Sequence, residues 1–342
     1  MNQATKTPVK KPRRGRNAFV TGGTGFLGIN LIDELVAQGW RVTALHRPTS
    51  ELEQLSRRNV TLVPGDIAVA STLASAIPRK PDAVFHVAAS LNQWSHHNEL
   101  QHIINVEGTR NVVRAALEAG AKRFIHTSSI SVFGLQPGRI TESAEQLGRI
   151  SWINYQRTKY LAEEEVRAGL ARGLDAVILN PCNIIGAHDT TGWARIIRLI
   201  DEGKLPGAPP GAASFCDVGE VAKAHIAAVD RGRTGENYLL GGVDTTYLEM
   251  ICVIGRLLGR DVPSRPKPAW LLHLLARIGG FASVFTGKQP RITREMAGLV
   301  TRNLYADCAK AEAELGYASV PLERMLTRSV DWLKSEGLIE AG

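Results

Sequence analysis

Tyr155 and Lys159 stand four residues apart in the run SWINYQRTKYLAEEE. The run has the residue types of a helix, and that spacing puts both side chains on one face, one turn apart. A phenol beside an ammonium is a candidate acid/base pair, because the positive charge favours the phenolate and lowers the tyrosine pKa toward working pH. The same spacing also describes an ordinary solvated helix face. The pair gains weight from a phosphate-binding loop and a hydroxyl donor further up the chain.

The loop follows a short apolar strand, Asn17 to Thr21, and runs GGTGFLG into an amphipathic helix from about Phe26 to Gln38. Gly22, Gly25 and Gly28 have the spacing GxxGxxG. Glycines let the backbone approach a pyrophosphate, and the helix N-terminus offers free N–H groups and a positive dipole end. Thr24, Phe26 and Leu27 fall in the same turn and join the candidate dinucleotide contacts. The next strand, Arg41 to His46, decides which dinucleotide is expected. An acid at its end would bind the ribose 2′-hydroxyl of NAD, whereas an arginine accommodates the 2′-phosphate of NADP. No Asp or Glu lies between Trp40 and Ser50, and Arg47 does. NADP is therefore expected, with NAD as the alternative.

Four further strands follow. Asn59 to Val63 leads to Asp66 and Ile67, where Asp66 either meets the adenine side of the site or caps the next helix. Asp82 to Val87 leads to Ala88 and Ala89, small residues that suit a backbone passing close to a cofactor. His86 within it reads as a packed histidine. Lys122 to Thr127 ends in Ser128 and Ser129, and Asp175 to Asn180 leads to Pro181 and Asn183. A long helix, Glu99 to Ala119, contains Asn105. Alternating strands and helices of this length predict an α/β fold with a doubly wound parallel sheet, whose ligands gather at the carboxyl ends of the strands. Ser129 falls at such an end and can hold a carbonyl oxygen while charge develops on it. After residue 186 the alternation stops. The expected division is a basic tail at 1–16, a dinucleotide-binding domain at 17–180, and a mainly substrate-binding domain at 181–342 with segments returning to the first sheet.

Composition narrows the class. The net charge of +8 includes six cations before residue 17 (Lys6, Lys10, Lys11, Arg13, Arg14 and Arg16), which leaves +2 for the rest. The tail reads as a disordered solubilising arm, and no nucleic-acid partner is expected. Cys182, Cys216, Cys252 and Cys308 are scattered without a CxxC pair. They read as reduced thiols of a cytoplasmic protein, with no disulfide frame and no metal site. The start of the chain lacks an apolar signal region, and no uninterrupted apolar run reaches spanning length, so no membrane-spanning helix is expected.

In their order, TGGTGFLG (21–28), GDI (65–67), VFHVAA (84–89), NVEGTRNV (105–112), HTSSISVFG (126–134), YQRTK (155–159), NPCNIIG (180–186) and DVGEVAKAHIAA (217–228) resemble the extended short-chain dehydrogenase/reductases, also called the NAD-dependent epimerase/dehydratase family. The resemblance spans about residue 17 to residue 335. It implies a Rossmann domain with a smaller C-terminal substrate domain, with Tyr155 as acid/base and Lys159 lowering its pKa and holding the nicotinamide ribose. Ser129, rather than Ser128, would orient the substrate oxygen, and a homodimer would form through helices near 100–118 and 155–170. The chain looks most like the dihydroflavonol-reductase-like and 3β-hydroxysteroid-dehydrogenase-like branch. Sugar dehydratases of the family carry an Asp–Glu pair where Ile130 and Ser131 stand here. Nucleotide-sugar epimerases usually have an arginine where Ala213 stands, and an acid in place of Arg47. These departures point away from nucleotide sugars.

Residues 90–98 (SLNQWSHHN) should line the substrate pocket, with Trp94 as an apolar wall. Trp193 and Asn183 are the other pocket candidates. The segment 270–285 (WLLHLLARIGGFASVF) reads first as a buried helix pair; an apolar lid or a monotopic contact with a membrane surface is the alternative. The expected activity is NADPH-dependent reduction of a ketone or aldehyde of a hydrophobic small molecule. A sugar-type epimerase holding NAD, and a cofactor-binding protein without catalysis, are the competing readings.

Overall fold

The computed structural model describes residues 15–340. Five cations of the expected tail, Lys6 to Arg14, lie outside the described residues. Arg16 is not part of a loose arm. Its guanidinium sits 4.3 Å from the centroid of the Trp40 ring and pairs with Asp230 at 3.0 Å, and its carbonyl accepts from the Arg41 N–H.

Twelve strands occur among the described residues. In chain order they are β1 (Asn17–Thr21), β2 (Arg41–His46), β3 (Thr61–Pro64), β4 (Ala83–His86), β5 (Phe124–Thr127), β6 (Arg139–Ile140), β7 (Ala176–Pro181), β8 (Asn183–Ile185), β9 (Ala212–Asp217), β10 (Asn237–Leu240), β11 (Val243–Thr246) and β12 (Asn303–Ala306). Seven form one sheet in the order β10-β7-β5-β4-β1-β2-β3, and every pairing in it is parallel. Every residue of β4 and β7 is buried. A parallel sheet covered on both faces explains why these strands read as unbroken apolar runs without alternation.

Alternate residues of β1 serve the two faces. Ala18 and Val20 pack with the helices Phe26–Ala37 and Val218–Arg231. Phe19 packs on the other side with Val112, Val113 and Val166 of the helices Gly108–Ala119 and Asn154–Leu170. The chain leaves β1 in one direction toward β2 and returns on its other side as β4, which opens a crevice at the carboxyl ends of β1 and β4.

The second sheet has the order β11-β9-β12-β6, with β8 paired to β9. It backs a separate cluster formed by Ile197, Phe215, Met250, Ile254 and Leu326. The two sheets are interleaved along the chain. β10 crosses back to the large sheet, and β6 leaves the first region for the small one. Residues 270–285 depart from expectation more sharply. The helix Ala269–Thr286 is long and apolar enough to cross a membrane by length and composition, and only Leu272 and Ala276 of it are buried. It is not a buried helix pair.

Three buried histidines set an acid limit on stability. His86 on β4, His126 on β5 and His225 on the helix Val218–Arg231 are each at most 1% exposed. Burial pushes His86 down to about 3, His225 to about 4, and His126 well below the ordinary value. The folded state keeps them neutral while the unfolded chain protonates them below pH 6.5. Their contribution to stability is therefore constant above that pH and is lost as pH falls, at about 1.4 kcal/mol per pH unit for each histidine. The urea midpoint should fall steadily from pH 7 to pH 5; a flat midpoint over that range would contradict this.

Candidate active site

The glycine loop joins β1 to the helix Phe26–Ala37 at the crevice. Gly22 has a φ of +73°, and a Cβ there would lie 2.6 Å from the Ala88 backbone nitrogen. Gly22 is thus required by the close passage of the β4 exit. A Cβ on Gly28 would lie 2.1 Å from the Gly22 carbonyl, so the helix can pack beneath the loop only without a side chain there. At Gly25 the protein makes no such demand, since an added Cβ meets only the Gly22 carbonyl at 3.3 Å. No side chain caps this helix. Its first N–H groups are left to a ligand, which fits the diphosphate of a dinucleotide. Thr24, Phe26 and Leu27 lie in the same turn.

The other dinucleotide candidates surround this cradle. The Ala88 N–H donates to the Thr21 hydroxyl at 3.3 Å, which fixes the Ala88–Ala89 exit beside the loop. Asp66 accepts the Ala68 N–H at 2.9 Å, so part of its carboxylate closes its own turn after β3. Ile67 is buried, and its carbonyl is held by the Asn111 amide at 2.9 Å. Arg47 lies just after β2, is exposed, and closes a turn through its backbone with Ser50. Its guanidinium forms no ion pair with a described residue. Pro181 ends β7, and the Asn183 amide donates to the Ser214 carbonyl at 3.1 Å.

Ser129, Tyr155 and Lys159 converge at the carboxyl end of β5. The Ser129 hydroxyl lies near enough to the Tyr155 phenol to pull its pKa down and accepts the Ser131 N–H at 3.1 Å. Ser128 Oγ, in contrast, is buried without a partner among the described residues. The two serines thus have different surroundings. Lys159 is buried, and its Nζ donates to the Thr127 carbonyl at 2.7 Å.

The tyrosine pKa departs from expectation. Burial pushes Tyr155 up to about 12, and the Ser129 hydrogen bond offsets only part of this. Burial also pushes Lys159 down to about 8, with Glu163 one turn on pulling it back up. In the protein alone, Tyr155 is a neutral phenol at neutral pH, the form that can give a proton, and Lys159 is turned to a backbone carbonyl.

Two supports had no role assigned from the sequence: Asn105, named there only as part of a helix, and Glu163. Asn105 sits in a π-helical turn, Ile103–Glu107, a local widening often found at functional sites. Its amide accepts the Ser90 N–H at 2.7 Å and donates to the Ser90 carbonyl and the Thr158 hydroxyl at 3.0 and 3.1 Å. It ties the β4 exit to the helix Asn154–Leu170. Glu163, fully buried, accepts from Gln146, Asn180, Asn237 and Arg167 at 2.7–3.1 Å. Asn180 also donates to the Ser129 carbonyl at 3.1 Å. The network thus joins the Tyr155 helix to the backbone that carries the Ser129 hydroxyl.

On the substrate side, Trp94 stacks on His96 with centroids 4.8 Å apart, in a half-exposed loop held by Gln101. Trp193 stacks on Tyr247 at 5.6 Å and meets Phe215 edge-on. Its ring contacts belong to the C-terminal cluster. Ala213 is buried within β9.

The family model for the "NAD dependent epimerase/dehydratase family" matches residues 18–241. The chain is 30% identical over 330 residues to a "putative dihydroflavonol 4-reductase" of Synechocystis sp., covering 94% of this chain and 96% of that one. It is 28% identical over 326 residues to "sterol demethylase protein B" of Methylococcus capsulatus, covering 94% and 99%. The crystal structure of gox2253 superposes with a TM-score of 0.82 at 31% identity, covering 95% of this chain and all of that one. A UDP-glucose 4-epimerase from Thermotoga maritima superposes at 0.77 with 21% identity, covering 94% and 99%, a likeness of fold alone. With a Rossmann sheet, a glycine cradle and a Ser–Tyr–Lys set in one crevice, the chain belongs to the NAD-dependent epimerase/dehydratase family of extended short-chain dehydrogenase/reductases, in the branch of the dihydroflavonol-reductase-like and 3β-hydroxysteroid-dehydrogenase-like proteins.

Proposed function

We propose that the protein is an NADPH-dependent reductase of a ketone or aldehyde on a hydrophobic small molecule. The observation that carries this reading is the placement of Tyr155 beside Ser129 at the strand end that Lys159 reaches, with burial holding the phenol protonated. A reductase needs a proton donor at the carbonyl oxygen, and a phenol at about 12 is one at every pH near neutrality. When bound, the nicotinamide supplies the hydride. Tyr155 gives its proton to the oxygen, and Ser129 donates to the same oxygen and holds it in place. Lys159, mostly charged at neutral pH, adds positive potential beneath the site.

Two features support the substrate class. Ala213 is a buried β9 residue, and no cation stands there to grip a diphosphate. Relatives bear names that speak of a flavonol and a sterol. The cofactor preference rests on Arg47, the cation after β2 that forms no ion pair with a described residue, where no carboxylate competes for the ribose.

Replacing Arg47 by Ala should weaken NADPH binding about tenfold or more and leave NADH binding nearly unchanged, since a charge-assisted bond to phosphate is worth about 1.5–3 kcal/mol. Parallel fluorescence titrations with both nucleotides check this. Equal losses for NADPH and NADH, or none, would remove Arg47 from the reading.

A further inference from the structure

The helix Ala269–Thr286 turns its apolar side chains outward. Trp270, Ile278, Phe281, Val284 and Phe285 are 58–78% exposed, and Phe281 and Phe285 touch only each other among aromatic rings, with centroids 5.2 Å apart. A contiguous exposed apolar face of this kind marks a docking surface. Its surroundings state the partner's charge. From Val262 to Arg294 there is no Asp or Glu, while Arg265, Lys267, Arg277, Lys288, Arg291 and Arg294 are present. All six are exposed, and none pairs with a described carboxylate.

We propose that this face docks on an anionic phospholipid surface, with the helix lying in the interface and the cations reaching the headgroups. The helix lies on the membrane rather than crossing it, because both of its ends return to the same body. Pro266 bridges to Ala208 before it, and after it the helix Arg294–Val300 and β12 rejoin the small sheet. The face also adjoins the catalytic segment. Gly298 lies so close to Trp152 that an added Cβ would be 2.8 Å from its ring, and the Asn154 N–H donates to Glu295 at 3.4 Å. Trp152 and Ile150, 55% and 72% exposed, carry the apolar surface up to the residues just before Tyr155. Docking would thus set that edge of the site against lipid. The inference stands on exposure and charge, and it holds or fails whatever the carbonyl substrate proves to be.

The test is flotation of the full chain with vesicles of phosphatidylglycerol and phosphatidylcholine in equal parts, and with phosphatidylcholine alone. The wild type should float with the mixed vesicles and less with the neutral ones, and added salt should weaken binding. The double variant Phe281→Glu, Phe285→Glu changes only exposed residues. It should keep its thermal midpoint and NADPH binding while its partitioning falls about tenfold or more. A second pair, Lys288→Glu with Arg291→Glu, should lose the anionic-lipid preference. Three results would overturn the proposal. One is a wild type that does not float. Another is unchanged flotation of both variants, which would assign lipid binding to the basic tail. The last is a wild-type dimer that Phe281→Glu, Phe285→Glu splits with no change in flotation, which would make the face a contact between copies of this chain.

Discussion

Tyr155→Phe folds, binds NADPH as the wild type does, and loses turnover by about 10²–10⁴-fold, the worth of a positioned general acid. The substitution removes one hydroxyl and keeps the ring, so packing around the helix Asn154–Leu170 is preserved. What goes is the proton that the phenol, at about 12, holds ready beside Ser129. The loss should appear in kcat and kcat/KM together, because the proton moves only as the carbonyl is reduced. Stopped-flow loss of NADPH absorbance separates the step from product release. A variant that turned over at the wild-type rate would end the acid/base assignment. Ser129→Ala should cost less, because a positioning donor is lost while the acid remains.

The second large effect falls on stability. Glu163→Ala removes the carboxylate to which Asn180, Asn237, Gln146 and Arg167 all donate. Asn180, fully buried, then loses this acceptor out of reach of water, while the other three donors are only partly covered, and the cost is about 3 kcal/mol. The same change frees Asn180, whose other bond holds the Ser129 carbonyl. kcat should therefore fall even at temperatures where the variant stays folded, with KM for NADPH little changed. Glu163→Gln keeps the volume and one acceptor, so it should recover part of both losses. Urea midpoints and initial rates on the two variants check this. If Glu163→Ala lost stability but kept wild-type kcat, the network would be structural and nothing more.

The glycine cradle and the Tyr155–Lys159 pair were legible because each is a local pattern. Three glycines between a strand and a helix, or two side chains four apart on one helix, need no knowledge of the rest of the chain. The strands were legible for a related reason, since two-sided burial writes short apolar runs into the sequence. The Glu163 network was not legible. It joins residues 17 and 74 positions apart, and nothing in the run LAEEE marks the first glutamate as the buried one. The pKa of Tyr155 was misjudged for the same reason. Lys159 one turn along the helix was visible, but the burial that raises the phenol's pKa is made by segments distant in the chain and was not. Residues 270–285 failed differently. A core helix and a surface-docking helix share one apolar composition, and only the packing separates them, with Leu272 and Ala276 buried and the rest exposed or half-buried.

The most direct test of the central reading begins with the purified protein. It is denatured, any released nucleotide is identified, and cofactor-free protein is then titrated with NADPH and NADH and mixed with hydrophobic ketones and aldehydes. The reductase account predicts little retained nucleotide, NADPH bound at least about tenfold tighter than NADH through the 2′-phosphate, and NADPH oxidation by at least one such carbonyl compound. Stoichiometric NAD that survives purification, with no preference for NADPH, would contradict it and point to an epimerase that oxidises and re-reduces its substrate in place.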